Sequence, residues 1–273
     1  MPSGRQGTVA RNTVEQHQES ECPSDFQIID LAVNHPEAND EEYRGETRTV
    51  TVHRSAEKRR KETKHIFVRR RVEDMPVEPR RENIVTPGIV LAFPMKSNGS
   101  LILEQQYVFA FLPINEYCFR FLIQGDFILT ASRESLALTA WNEKLQEAIP
   151  SAFEVAVHRF NNIKGGLGYA WPQYLELLAT GIAFGKDLGD KLVKHLGSCL
   201  ILQIRAGSFQ KPQDLVFIPP EFCFDGEPMI NFKRLQGEQL AFEYAPNGTL
   251  LSSLKSLGVK VMDDEMFFEQ FHS

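Results

Sequence analysis

The chain has 273 residues, of which 42% are hydrophobic, and a formal net charge of −6 at pH 7. That is long enough for one large domain or two ordinary ones, and apolar enough for a packed core. The acidic balance excludes a general attraction for nucleic acid, and no apolar run reaches membrane-spanning length or forms a signal peptide.

Residues 1–25 are polar and carry too few apolar side chains to offset the entropy of ordering, so disorder is expected there. FQIIDLAV at 26–33 adds one short strand at most, and 1–45 reads as a disordered or weakly ordered N-terminal segment. TRTVTVHR (47–54) alternates β-branched with polar residues, the period of a half-exposed strand. AEKRRKETK is charged on all sides and reads as a turn or an exposed helix. HIFVRRRV (65–72) is strand-like again, with Ile66 and Val68 on one face.

From Arg54 to Arg81 the charge reverses, with eleven Lys or Arg against five Asp or Glu. Those arginines alternate with apolar residues and are interrupted by acids. A solvated strand face is therefore favoured over a phosphate contact, and no specific nucleic-acid binding is expected. Lys58-Arg59-Arg60-Lys61 permits nuclear import, although such runs are more often simply solvated.

Prolines 76, 79 and 87 mark a linker-like stretch, and the character then changes. GIVLAFPM (88–95), YVFAFLPI (107–114) and CFRFLIQGDFILT (118–130) are continuous apolar runs, as central strands buried on both faces require. From Ser132 the apolar period lengthens to three and four, through Leu136, Trp141, Leu145, Ile149, Phe153, Ala156, Val157 and Phe160, the pattern of a buried helix face. Pro150 divides that pattern into two helices or kinks one. NIKGGLGYAW (161–171) reads as a flexible hinge, because it lacks the strand–helix setting and the Lys-Ser/Thr of a phosphate loop. WPQYLELLA (171–179) and GKDLGDKLVKHLG (185–197) read as helices, the second closed by Gly197. SCLILQIR and DLVFIP are strands of a hairpin with a long loop, and the tail forms two short helices around Gly258.

The fold class is α/β: a mixed sheet over about 47–130 backed by the 133–160 helices, then a smaller α+β unit. Domain limits fall at 46–164 and 165–273. The four cysteines form no CxxC pair. Cys118 and Cys199 sit in apolar runs, where a reduced thiol packs as a small hydrophobe, so a cytoplasmic or nuclear rather than secreted protein is expected. The seven histidines read as scattered, without a Cys or carboxylate partner at ligand spacing, and no metal site is expected. Neither Cys118 nor Cys199 has the electropositive setting of a nucleophile. Trp141 and Trp171 read as core anchors.

Together HIFVRRRVEDMPVEPRR, GIVLAFPM, VFAFLPINEYCFRFLIQGDFILTASRESL and WNEKLQEAIPSAFEVAV resemble the segment that follows the ATPase domain in sacsin-like and NO VEIN-like proteins, most closely fungal members. The resemblance covers about 65–235, and its most specific element is FLIQGDFILTASRES followed by Trp141-Asn142. Those proteins have a histidine-kinase-like (GHKL) ATPase domain similar to that of the ninety-kilodalton heat-shock chaperones. In the chaperone middle domain a Ser-Arg-Glu step enters a helix, and its arginine reaches the ATP γ-phosphate. Ser132, Arg133 and Glu134 match that step, which makes Arg133 the candidate γ-phosphate sensor. On the residues alone a second reading stays open: Ser132 as a helix N-cap, Glu134 in the first turn, and Arg133 exposed or paired with Asp126.

A nucleotide pocket of that type also needs a helix carrying Glu and Asn, an Asp-x-Gly-x-Gly loop and a glycine-rich lid, and none occurs upstream of residue 88. The chain is therefore expected to have no ATPase activity and no cofactor or metal of its own. ATP and magnesium enter only if an ATPase domain is supplied upstream or in trans. The expected role is a transducer or interaction segment for a protein partner or a full-length relative, with no membrane contact. The expectation is a remnant or companion form of such a protein, and a truncated gene model would give the same sequence. In the alternative reading, the segment completes a partner's active ATPase site through Arg133.

Overall fold

The computed structural model describes residues 26–30, 45–54, 61–96, 98–117, 119–163, 166–176, 183–225, 227–229, 237–244 and 248–272. Seven strands come first: β1 (Phe26–Asp30), β2 (Gly45–Arg54), β3 (Lys61–Arg71), β4 (Gly88–Lys96), β5 (Tyr107–Ala110), β6 (Leu112–Glu116) and β7 (Leu122–Gly125). They form one sheet in the order β1-β2-β3-β4-β7-β5-β6. Every pairing is antiparallel except β5 with β7, so the sheet is mixed.

Residues 91–95 of β4 are all buried, which is why GIVLAFPM has no polar alternation. In β3, Ile66 and Val68 are buried on one face while Arg69 and Arg71 are exposed. The apolar run at 107–114 behaves differently from the central strand expected of it. Phe111 takes a left-handed φ of 65° and folds the run into the tight β5–β6 hairpin at the sheet edge. Phe111 and Leu112 are consequently 71% and 65% exposed. The expected strand at 118–130 is shorter too, because only Leu122–Gly125 pairs as β7, while Phe119, Phe121 and Phe127 beside it are fully buried.

Two helices back the sheet, α1 (Ala140–Glu147) and α2 (Ile149–Asn162). Pro150 lies in the first turn of α2, where its missing N–H has no partner to lose, so the proline starts a helix instead of breaking one. Phe93 of β4 is the hub of the packing. Its ring lies 5.3 Å from Phe121, 5.1 Å from Phe153, 5.1 Å from Phe160 and 5.3 Å from Tyr174, mostly edge to face. Tyr174 donates its hydroxyl to the carbonyl of Pro94 at 2.6 Å, and its burial raises the phenol pKa strongly.

After α3 (Leu167–Ala170), Trp171–Leu175 forms a 3-10 helix where a regular helix was expected, with Trp171 fully buried. α4 (Ala183–Gly197) then packs on α2. Gly197 ends α4, and a Cβ at that position would meet the carbonyl of Leu257 at 3.0 Å, a contact tight enough that a larger residue would push the chains apart by a few tenths of an ångström.

Short strands follow: β8 (Leu202–Gln203), β9 (Phe209–Gln210), β10 (Leu215–Phe217), β11 (Cys223–Phe224), β12 (Glu227–Pro228) and β13 (Glu238–Gln239). The hairpin expected between SCLILQIR and DLVFIP does not form. β8 pairs with β9, inside the predicted loop, while β10 lies parallel between β13 and β14 (Lys260–Val261). α5 (Gly248–Leu257) and α6 (Asp264–His272) are the two tail helices, with Gly258 at φ 105° between α5 and β14. One buried cluster runs from Ile66 to Val259. No helix among the described residues is long and apolar enough to cross a membrane. The readings of residues 1–25, of KRRK apart from Lys61 and of Cys118 fall outside the described residues.

Candidate functional site

Residues 126–137 form a narrow loop, not the start of a helix. Leu129 and Leu136 bridge antiparallel, the Ala137 amide donates to the Ile128 carbonyl at 2.9 Å, and the Thr130 amide donates to the Ser135 carbonyl at 2.9 Å. Ser132, Arg133 and Glu134 lie at its exposed tip. Neither the helix entry that the resemblance implies for Ser132-Arg133-Glu134 nor the alternative of Ser132 as an N-cap holds. The helix begins at Ala140, and its cap is Thr139, whose hydroxyl accepts from the Asn142 amide at 3.2 Å. Thr139 has the extended backbone that a cap needs, whereas the chain at Arg133 turns left-handed with φ 62°.

Trp141 and Asn142 fasten this loop from α1. The indole Nε1 of Trp141 donates to the Asp126 carbonyl at 2.9 Å. Asn142 is buried; its Oδ1 accepts from the Ile128 amide at 2.8 Å, and its Nδ2 donates to the carbonyls of Ile128 at 2.7 Å and Ala137 at 2.8 Å. Asp126 is tied elsewhere, its Oδ2 accepting from the Gly88 amide at 2.9 Å. The sequence motif and the Trp-Asn step that follows it are thus two halves of one clamp, with Arg133 at the free end.

Among the described residues Arg133 forms no ion pair with Asp126, Glu134 or any other carboxylate. Arg120 shows the contrast, because it is buried, with Nη2 at 2.6 Å from Glu176 and Nη1 donating to the Gln173 carbonyl at 3.1 Å. Arg133 opens on a cavity of about 590 Å³ that Arg80, Arg81, Phe111, Leu112 and the 127–131 chain also line. Arg80 grips Glu78 at 2.8 Å, and that hydrogen bond holds the Glu78 carboxyl below its usual range. Arg81 donates to the Phe127 carbonyl, and its buried Nε has no partner. With Arg80 and Arg81 engaged, Arg133 is the lining guanidinium placed for an anion such as a phosphate, and no lining carboxylate could hold magnesium.

An arginine in the left-handed region is disfavoured by about 1–2 kcal/mol. Arg133→Gly should therefore leave stability unchanged or raise it by up to about 1 kcal/mol. Urea unfolding measures this, and a loss of more than about 1 kcal/mol would make the side chain a structural element of the turn.

A second group of chemically capable side chains lies between α2 and α4. Glu154, His195 and Cys199 place one oxygen, nitrogen and sulfur within 4.8 Å of one another, with Glu154 Oε2 at 2.8 Å from His195 Nε2. Burial raises the Glu154 carboxyl, but His195, the neighbouring Cys199 thiol and His158 together outweigh it, leaving the group below its usual range. Burial and the adjoining carboxylate push the Cys199 thiol up to about 11, so it is not a nucleophile at neutral pH. Reading the histidines as unpartnered missed this group. Glu154 and His158, like His195 and Cys199, stand four residues apart, and those spacings were the available signal.

The chain is similar to a segment of Protein NO VEIN from Arabidopsis thaliana. The two are 35% identical over 136 residues, 45% of this chain. The same stretch is 5% of the plant protein, so the chain spans a small fraction of that relative's length. No family model matches, and no solved structure does.

Proposed function

We propose that this chain is a non-catalytic transducer and interaction segment of a NO VEIN-like ATPase protein, and that Arg133 reaches a phosphate held by an ATPase domain outside residues 1–273. The observation that carries this reading is Arg133 itself: exposed, without an ion pair among the described residues, and set on a turn clamped from below by Trp141 and Asn142. A sensor must reach beyond its own domain, whereas a structural arginine such as Arg120 is locked within it. Similarity to Protein NO VEIN supports the relationship on which the ATPase context rests. The exposed Phe111 and Leu112 beside the arginines support contact with a neighbouring domain, whether from a protein partner or a full-length relative.

The test is Arg133→Ala in a form that carries the ATPase domain. Hydrolysis should fall by a factor on the order of 10–1000 while ATP affinity barely changes, the pattern of an interaction made chiefly in the transition state. Run alone in the same assay, the present chain should neither bind nor hydrolyse ATP. An unchanged rate in the variant would remove Arg133 from the mechanism. Magnesium-dependent ATP binding by the isolated chain would show that it holds a nucleotide pocket after all.

A further inference from the structure

We infer that Glu154, His195 and Cys199 form a three-ligand binding site for a zinc-class divalent cation. The site is built on two packed helices. Glu154 and His158 lie one turn apart on α2, His195 is in the last turn of α4, and Cys199 follows two residues beyond that helix. Phe153 and Val157 on α2 and Leu192 and Leu196 on α4 are buried around it, so the ligands project from packed backbone.

The distances suit an ion that pulls the side chains together. Zinc bonds to nitrogen and oxygen at about 2.0–2.2 Å and to sulfur at about 2.3 Å, so tetrahedral donors stand roughly 3.3–3.7 Å apart. In the structure Glu154 Oε2 and His195 Nε2 are at 2.8 Å, Glu154 Oε1 and His158 Nε2 are at 3.7 Å, and the three main donor atoms fall within 4.8 Å. Rotamer changes of about 1 Å bring them into the tetrahedral range. Cys199 now donates its thiol to the His195 carbonyl at 3.2 Å, and rotation about χ1 frees the sulfur.

The donor set selects the metal class. Imidazole with thiolate suits zinc, whereas calcium and magnesium require oxygen ligands. A carboxylate and a thiolate also balance the two charges of the ion, and the thiol proton leaves to solvent on binding. Solvent access is open, since the side chains of His195, Glu154 and His158 are 35%, 25% and 34% exposed.

Cobalt(II) is the probe, because it adopts the zinc geometry and shows a thiolate-to-metal charge-transfer band. Titrating the full chain should give one saturating equivalent with that band, displaced by zinc(II). Cys199→Ser should abolish the band and His195→Asn should weaken binding at least about tenfold, while Cys223→Ser should leave both unchanged. The same preparations are checked by circular dichroism. If the site variants do not fold, alkylation of the native chain decides: zinc(II) should protect Cys199, located by peptide mass mapping. Absence of a saturable band, a band that survives Cys199→Ser in a folded protein, or unprotected Cys199 at saturating zinc would each overturn the site.

Discussion

Replacing Phe93 with alanine is expected to destabilise the chain by about 3–5 kcal/mol, the range for removing a fully buried aromatic ring. Phe93 is 0% exposed, and four other rings pack against it. Those rings come from the β6–β7 connection, from α2 and from the 3-10 helix after α3, so no single element can move to refill the space. The void would also sit beside the Tyr174–Pro94 hydrogen bond, which joins that 3-10 helix to β4. Phe93→Leu keeps most of the volume and should cost less than half as much. Equilibrium denaturation compares the two variants, and a loss below about 1 kcal/mol for alanine would mean that the ring cluster does not hold the sheet to the helices.

Asn142→Ala is expected to destabilise the chain by roughly 2 kcal/mol or more, through polar atoms rather than lost volume. The substitution strands the Ile128 amide and the Ala137 carbonyl, while the Ile128 carbonyl keeps the Ala137 amide, and each buried unpaired group costs about 1–3 kcal/mol. Asn142→Asp is the informative partner. It keeps the shape and the acceptor for the Ile128 amide, but sets a carboxylate against two carbonyls, and should be at least as damaging. Hydrogen exchange should show the effect concentrated in 128–137, with the Arg133 amide losing the protection that its 2.9 Å bond to the Thr130 carbonyl provides. Uniform loss of protection across the sheet would instead make Asn142 an ordinary core residue.

The two variants also show how far a sequence can be read. Phe93 sits in an uninterrupted apolar run bounded by turn signals, the pattern of a strand covered on both faces, so β4 was legible. The two helices divided at Pro150 were legible from their spacing for the same reason. YVFAFLPI looked identical to β4 in composition, yet it forms an edge hairpin. Its fold depends on one left-handed residue, Phe111, of a type that carries no turn signal. The Ser-Arg-Glu step misled similarly. Its residue types fit a helix cap, but the cap was decided by Thr139, and the clamp that forces the turn comes from Asn142. The cluster of Glu154, His195 and Cys199 joins two helices across 41 residues, so periodicity within either helix cannot reveal it, although the spacings of four were there to be noticed.

The placement of β7 between β4 and β5 has a kinetic side. Strands β2, β3 and β4 each pair with the next strand in the chain, across 55–60 and 72–87, whereas β7 must pair Gly125 with Ile89 across an intervening hairpin. Closing that longer loop carries an added entropic barrier, so the seam forms after the meander is in place. The chain 126–137 continues directly from β7, and its clamp draws on α1, which also follows. Arg133 therefore takes its left-handed setting only in a molecule whose sheet is already complete, and the exchange measurement proposed for Asn142, run as a pulse during refolding, reads that order. On the proposed role of Arg133, an unfinished chain would present a disorganised arginine to a partner domain.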